Sequence, residues 1–149
     1  MSPITLPVKK LDPTAILPVY ASADAAGADL CALPAVGAIT VAPGETVFVR
    51  TGLAAAIPTG YVGLIFARSG LACKRGLAPA NKVGVIDADY RGEIMVALHN
   101  HGDVAQTVDP GDRIAQLVIM PVVTAALVEV DSLDDTARGA GGFGSTGKN

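Results

Sequence analysis

The chain has no tryptophan, three phenylalanines and three tyrosines, so aromatic residues make up only 4% of its 149 positions. A surface that grips long nucleic acid needs basic charge to track the backbone and rings to stack on bases. A formal net charge of -3 with so few rings supplies neither, which points away from a nucleic-acid partner. Any phosphate bound here is expected to belong to a small ligand. Cysteine is almost absent too: Cys31 and Cys73 stand far apart, with no paired spacing and no disulfide framework. They read as buried, reduced thiols of a cytoplasmic protein. Met1 to Lys10 is broken by Pro3 and Pro7 and lacks the apolar stretch of a secretory signal, and no apolar run approaches the length of a membrane span. Histidine occurs only as His99 and His101. A zinc site needs three or four ligands at defined spacing, so this pair reads as exposed loop residues.

Glycine and proline, in contrast, are plentiful, at 17 and 10 residues. They punctuate the chain so densely that few segments have room for a three-turn helix, and short strands are the alternative. Thr46–Arg50, Tyr61–Phe66, Glu93–Leu98 and Arg113–Met120 are rich in β-branched and apolar residues. Turn signals separate them at Pro43-Gly44, Pro58-Thr59-Gly60, Arg91-Gly92 and Pro110-Gly111. The prediction is one all-β domain, a sandwich or barrel, in which wholly apolar stretches such as Leu117–Met120 are covered on both faces, with oligomer contacts as one source of the second cover. Val122 to Arg138 reads as a strand followed by a loop, with room for at most a short helix over Asp131–Ala137. The glycine-rich stretch Arg138 to Asn149 cannot pack a core by itself. Disorder is the bland reading of such a segment, yet Phe143 among the glycines has little use unless it docks on something.

Five short segments carry polar chemistry. Gly142 to Lys148 (GFGSTGK) satisfies most of a phosphate-loop pattern, but that loop requires a helix to follow it, and Asn149 comes next. Its local physics survives the objection: Gly144 and its neighbours let backbone N–H groups approach a phosphate, and Ser145, Thr146 and Lys148 add donors. In Ala67 to Lys74 (ARSGLACK), Arg68 offers planar donors, Ser69 a hydroxyl and Gly70 close backbone approach, although such a run also occurs in ordinary turns. In Asn81 to Glu93 (NKVGVIDADYRGE), Asp87 and Asp89 alternate and would share one face of an extended strand, which suits a metal or a polarised water. A solvated strand end with a surface ion pair to Arg91 is the plainer alternative. Asp29 follows a glycine in AGADL (26–30). Gln116 is a lone amide in the apolar run RIAQLVIM, where burial demands a hydrogen-bond partner.

Each segment alone is weak, but their order is not. AGADL at 26–30, ARSGLACK at 67–74, NKVGVIDADYRGE at 81–93, PGDRIAQLVI at 110–119 and RGAGGFGSTG at 138–147 together resemble the five motifs of the dUTP pyrophosphatase (dUTPase) family, in the family's order. The resemblance runs from about residue 20 onwards. It implies a jelly-roll homotrimer, with a β domain over residues 1–137 and a flexible glycine-rich arm over 138–149 that closes a neighbouring subunit's site. The activity implied is Mg²⁺-assisted hydrolysis of dUTP to dUMP and pyrophosphate, which keeps uracil out of DNA and supplies dUMP for thymidylate synthesis.

By position, the resemblance makes Asp87 the residue that orients and deprotonates the attacking water, and Asp29 a contact of the water shell of Mg²⁺. Arg68, Ser69 and Gly70 would contact the phosphate chain, Gln116 the α-phosphate region, and Arg138 with Ser145 and Thr146 the γ-phosphate end, with Gly144 a further substrate contact. The hairpin of Asn81, Gly84, Val85 and Ile86 would select uracil, Tyr90 would lie under the deoxyribose, and Phe143 would stack on the base. Two rivals stand beside this reading: a dCTP deaminase of the same superfamily, and a non-catalytic nucleotide-binding β trimer. Ammonia release from dCTP, or binding without turnover, distinguishes them.

Overall fold

Residues 4–142, the part of the chain that this computed structural model describes, form twelve strands, one short α-helix and a 3-10 turn at Pro34–Val36. The strands are β1 (Val8–Lys10), β2 (Val19–Tyr20), β3 (Ala28–Cys31), β4 (Ile39–Val41), β5 (Thr46–Arg50), β6 (Leu53–Ala55), β7 (Tyr61–Phe66), β8 (Leu77–Pro79), β9 (Gly84–Ile86), β10 (Met95–Asn100), β11 (Gln106–Val108) and β12 (Arg113–Pro121), with helix α1 (Ser69–Arg75) between β7 and β8. All pairings are antiparallel. A five-stranded sheet in the order β2-β3-β12-β7-β9 and a three-stranded sheet in the order β5-β10-β8 are accompanied by two-stranded ribbons, β1-β6 and β4-β11. The architecture is the β-sandwich of jelly-roll type expected from the sequence.

Alternation builds the core. Leu30, Leu53, Leu77, Leu98 and Ile114 are wholly or almost wholly buried in one cluster with Val41, Val49 and Val108. Each such side chain contributes roughly 1.5–3 kcal/mol by leaving water. The covering of β12 is less complete than predicted. Ile114, Ala115 and Leu117 are buried, but Val118 and Ile119 are only half-buried and Met120 is exposed.

Several expectations need correction. The strand expected at Glu93–Leu98 starts at Met95 and runs on through Asn100, because Ile94 bonds across to Leu53 and Thr51 outside the β10 ladder. Among the described residues no strand follows Val122, and no helix forms over Asp131–Ala137. Among the described residues the last backbone bond to the body is Val122 N–H to the Gly60 carbonyl, 2.9 Å, and residues 123–140 are exposed throughout. The ARSGLACK segment is not a plain turn: Leu71, Ala72, Lys74 and Arg75 are good helix formers, and they make α1. Gly76 stops that helix in the left-handed conformation, φ 66°, with its N–H turned back to the Ala72 carbonyl, and a Cβ there would lie 2.9 Å from the Gly102 nitrogen.

The cysteines are also more open than predicted, Cys31 half-buried and Cys73 exposed. His99 is a strand residue that shares a 2.8 Å hydrogen bond with the Thr46 hydroxyl, whereas His101 is exposed as expected. Among the described residues no helix is long and apolar enough to cross a membrane.

Candidate active site

The sheet register gathers the first group of polar residues. Gln116, on the central strand β12, stands opposite Asp29 on β3 and Phe66 on β7, and the chain leaves β7 through Ala67 directly into Arg68. Arg68 Nε donates to Asp29 Oδ1 at 2.8 Å, and Arg113 Nη1 donates to Asp29 Oδ2 at 3.1 Å. The Gln116 amide donates to the Ala67 carbonyl at 2.9 Å, which satisfies the lone amide. Gly27 leaves the space for it, since a Cβ there would lie 2.9 Å from Gln116 Oε1. A cavity of about 340 Å³ opens over Asp29, Arg68, Ser69, Gly70 and Gln116. Ser69 and Gly70 begin α1, where the first N–H groups have no partner inside the helix, and the place of a Gly70 side chain is open space. Guanidinium, hydroxyl and backbone N–H donors around one opening suit an oxyanion chain.

The second group surrounds a separate cavity of about 200 Å³, lined by Asn81, Gly84, Val85, Ile86, Asp87 and Tyr90 and floored by Ile65. An adjoining hollow of about 180 Å³ continues past Asn81 and Tyr90 to Phe48 and Met95. Gly84 is buried and tight, with Ile65 Cβ 3.1 Å from the place of a side chain, so the β9 backbone itself forms the wall. Asp87 and Asp89 do not share the face of a strand. β9 ends at Ile86, and the Tyr90 N–H donates to the Asp87 carbonyl at 3.2 Å, closing a turn. That turn leaves Asp87 on the cavity wall and Asp89 off it. Both acids are exposed, and Asp87 makes no ion pair among the described residues.

Tyr90 is placed by its neighbours. Its hydroxyl donates to the Glu93 carbonyl at 2.9 Å, and its ring fills the space beside Gly92, where a Cβ would lie 2.4 Å from that hydroxyl. Arg91 clasps the same turn through the Ala88 and Tyr90 carbonyls rather than pairing with Asp87 or Asp89. Glu93, which lines the cavity and received no role from the sequence, ties the turn to the body. Its carboxylate accepts from Arg50 Nε at 3.0 Å and from the Gly52 N–H at 2.8 Å. The only signal for it was its place at the end of DYRGE.

The two cavities share no lining residue. Ile86 stands opposite Gly63, and from Gly63 to Arg68 is five residues at about 3.3 Å each, roughly 16 Å. Arg138 lies apart from both, exposed, with its Nε donating to the Gly141 carbonyl at 2.8 Å. Phe143, Gly144, Ser145 and Thr146 lie outside the described residues.

No group of three or more His, Cys, Asp or Glu able to hold a metal occurs among the described residues. The donor set is therefore not a protein cage. Asp29, the one carboxylate among the described residues that line the donor-rich opening and already held by Arg68 and Arg113, would fit a Mg²⁺ that leans on the phosphates of a ligand and keeps several waters.

Residues 14–147 match the family model described as dUTPase. The deoxyuridine 5'-triphosphate nucleotidohydrolase of Syntrophotalea carbinolica is 53% identical over 147 residues, covering 99% of this chain and 99% of that one. The protein of the same name from Thermobifida fusca is 52% identical over 145 residues, 97% of this chain and 79% of that one. Among solved structures, the Staphylococcus bacteriophage 80alpha dUTPase with dUPNHPP superposes with a TM-score of 0.88 at 31% identity, covering 97% of this chain and 99% of that chain. A mutant dUTPase from phage phi11 of S. aureus, described for its coordination of a structural Mg(II) ion, gives 0.78 at 28% identity over 87% and 98%.

Proposed function

This chain belongs to the dUTPase family and is a dUTP diphosphatase, and from that premise we propose how its residues divide the hydrolysis of dUTP to dUMP and pyrophosphate. The observation that carries the reading is the common cavity of Asn81, Asp87 and Tyr90. It supplies a base-sized recess, a polar amide and an exposed carboxylate on one wall.

Uracil enters between the β9 backbone and the Asn81 side chain, where backbone polar groups and the amide pair with its polar edge. A close fit of the β9 backbone around the ring excludes the extra methyl of thymine. Tyr90 lies under the deoxyribose, held by its bond to Glu93, so that a ribose 2′-hydroxyl meets a ring edge instead of a partner. The Asp87 carboxylate takes the proton of a water aimed in line at the α-phosphorus, and pyrophosphate leaves from the opposite side. Arg68, Ser69, Gly70 and Gln116 hold the phosphate chain, and their donors neutralise the charge that spreads over it. Mg²⁺, when bound, would neutralise and orient the triphosphate, with Asp29 holding its water shell. The glycine-rich arm from Arg138, with Phe143, Gly144, Ser145 and Thr146, closes over base and γ-phosphate and excludes water.

On one chain, Asp87 stands too far from Arg68 and Gln116 to act on the phosphates that those residues hold. A site shared between copies removes the difficulty, and a homotrimer with three composite sites is the reading adopted. The exposed apolar side chains Val19, Tyr20, Val123 and Leu127, together with the half-open face of β12, are consistent with such contacts. The reaction removes dUTP from the precursors of DNA and yields dUMP for thymidylate synthesis.

Pyrophosphate release from dUTP in the presence of Mg²⁺, with dTTP, dCTP and UTP alongside, tests substrate and selectivity together. Asp87→Asn is expected to keep nucleotide affinity while kcat falls by about 10²-fold or more, the usual contribution of a general base. Near-normal turnover in that variant would remove Asp87 from the mechanism.

A further inference from the structure

Lys82 is the one residue other than glycine, among those described, whose backbone lies in the left-handed region, at φ 67°. It sits in the loop Ala80–Val83 that carries the chain from β8 in the three-stranded sheet to β9 in the five-stranded sheet. Both ends of this loop are pinned. Ala80 N–H donates to the Ala97 carbonyl at 2.8 Å, and Gly84 is paired with Ile65 on β7. The reversal therefore has to be completed within Asn81, Lys82 and Val83. It is: Lys82 N–H donates to the Pro79 carbonyl at 3.0 Å, and Val83 N–H to the Asn81 carbonyl at 2.8 Å. The second bond closes a three-residue turn centred on Lys82, and a positive φ makes it the rarer, strained hand of that turn. An L side chain in this region crowds its own carbonyl, and such strain persists only where the surroundings over-determine it, most often at ligand sites.

The first residue of this turn is Asn81, which lines both parts of the cavity. Its carbonyl accepts the bond that closes the turn, so with Ala80 and Gly84 pinned the left-handed backbone at Lys82 holds the Asn81 peptide in one orientation, and with it the direction in which the Asn81 side chain leaves. We infer that Lys82 is a positioning residue for base selection, acting through its left-handed backbone and not through its charge. With the loop ends fixed, lysine has fewer alternative conformations than glycine would have, which narrows the set of poses open to the Asn81 amide. The inference rests on the reading of this cavity as the uracil site.

The test is steady-state kinetics on the full chain with dUTP and dTTP. Asparagine tolerates the left-handed region, and glutamine keeps the unbranched stem without the charge, so K82N and K82Q are expected to retain the KM for dUTP. A β-branched residue resists this conformation. K82V is expected to raise that KM by about tenfold with kcat within about twofold, the signature of lost binding, and to lower the preference for dUTP over dTTP. If K82V does not fold, K82G serves in its place. It enters the turn without strain but frees the neighbouring peptide, and KM is expected to rise by about threefold. Unchanged KM and selectivity in K82V, or in K82G where K82V does not fold, would overturn the inference. So would a K82Q variant as impaired as K82V, since charge would then be the cause. Asn81→Ala separates the two levels of the argument. If it leaves KM and selectivity untouched, the uracil-site reading fails and the inference with it. If it raises KM while K82V does not, only the role of Lys82 fails.

Discussion

At the scale of single residues, the site depends as much on missing side chains as on present ones. Gly92 is the sharpest case, because the Tyr90 hydroxyl occupies the space its Cβ would need, at 2.4 Å. Gly92→Ala must push the ring away and break its bond to the Glu93 carbonyl. The expected result is a rise of up to about tenfold in KM for dUTP with weaker discrimination against UTP, the scale of one lost hydrogen bond. Comparing kcat/KM for the two nucleotides checks it. The two thiols make a second residue-scale contrast. Burial, and after it the neighbouring Asp29 carboxylate, pushes the Cys31 thiol above its ordinary value, which keeps thiolate scarce at pH 8, whereas Cys73 is exposed. Timed alkylation followed by mass spectrometry should label Cys73 first, and equal rates would contradict the burial argument.

At the scale of elements, the end of β10 shows where a polar group does structural work. The His-Asn-His run draws the eye to its histidines, yet Asn100 is the residue inside, wholly buried. Its amide nitrogen donates to the Val41 and Val104 carbonyls at 2.9 and 2.8 Å, and its Oδ1 accepts from the Gly102 N–H at 2.9 Å. One side chain thus fastens β10 to β4 and to the loop that leads into β11. Asn100→Ala removes all three bonds from the interior and is expected to cost on the order of 2–4 kcal/mol, read as a lower denaturant midpoint. The loop from β8 to β9, which crosses between the two sheets and is not the hairpin expected over Asn81–Ile86, and the turn from Asp87 to Tyr90 shape a cavity instead. The first forms part of its wall, and the second leaves Asp87 on the wall and Asp89 off it.

At the scale of the whole molecule, the separation of the two cavities leads to a complementation experiment. If Asp87 and Arg68 act on one nucleotide from different copies, Asp87→Asn and Arg68→Ala variants that are each nearly inactive should rescue one another when co-assembled. Random mixing would give about a quarter of the sites both intact residues. Unfolding and refolding the two variants together, then assaying pyrophosphate release, checks this. No recovery above the separate variants would place both residues in one copy's site and contradict the shared arrangement.

Composition and motif order determined a good deal by themselves. Glycine and proline spacing excluded long helices, β-branched runs located four of the strands to within a few residues, and the ordered motifs pointed to the family. They succeeded because turn chemistry and strand alternation are local, readable from neighbours in the chain. What failed was non-local. Alternation placed Asp87 and Asp89 on one strand face, but the strand ends at Ile86 and a turn parts them. The two-turn helix α1 was hidden in a motif whose polar residues suggested a loop, and the apolar residues after Val122 read as a strand although none forms there. Glu93 and Gly92 acquire their roles only when β10, Gly52 and the Tyr90 ring come together across the fold. The partition of the polar residues into two cavities likewise follows from register, Gln116 beside Asp29 at one end of β7 and Ile86 beside Gly63 toward the other. Register is fixed by which faces are buried in the assembled sandwich, and no window of sequence contains that information.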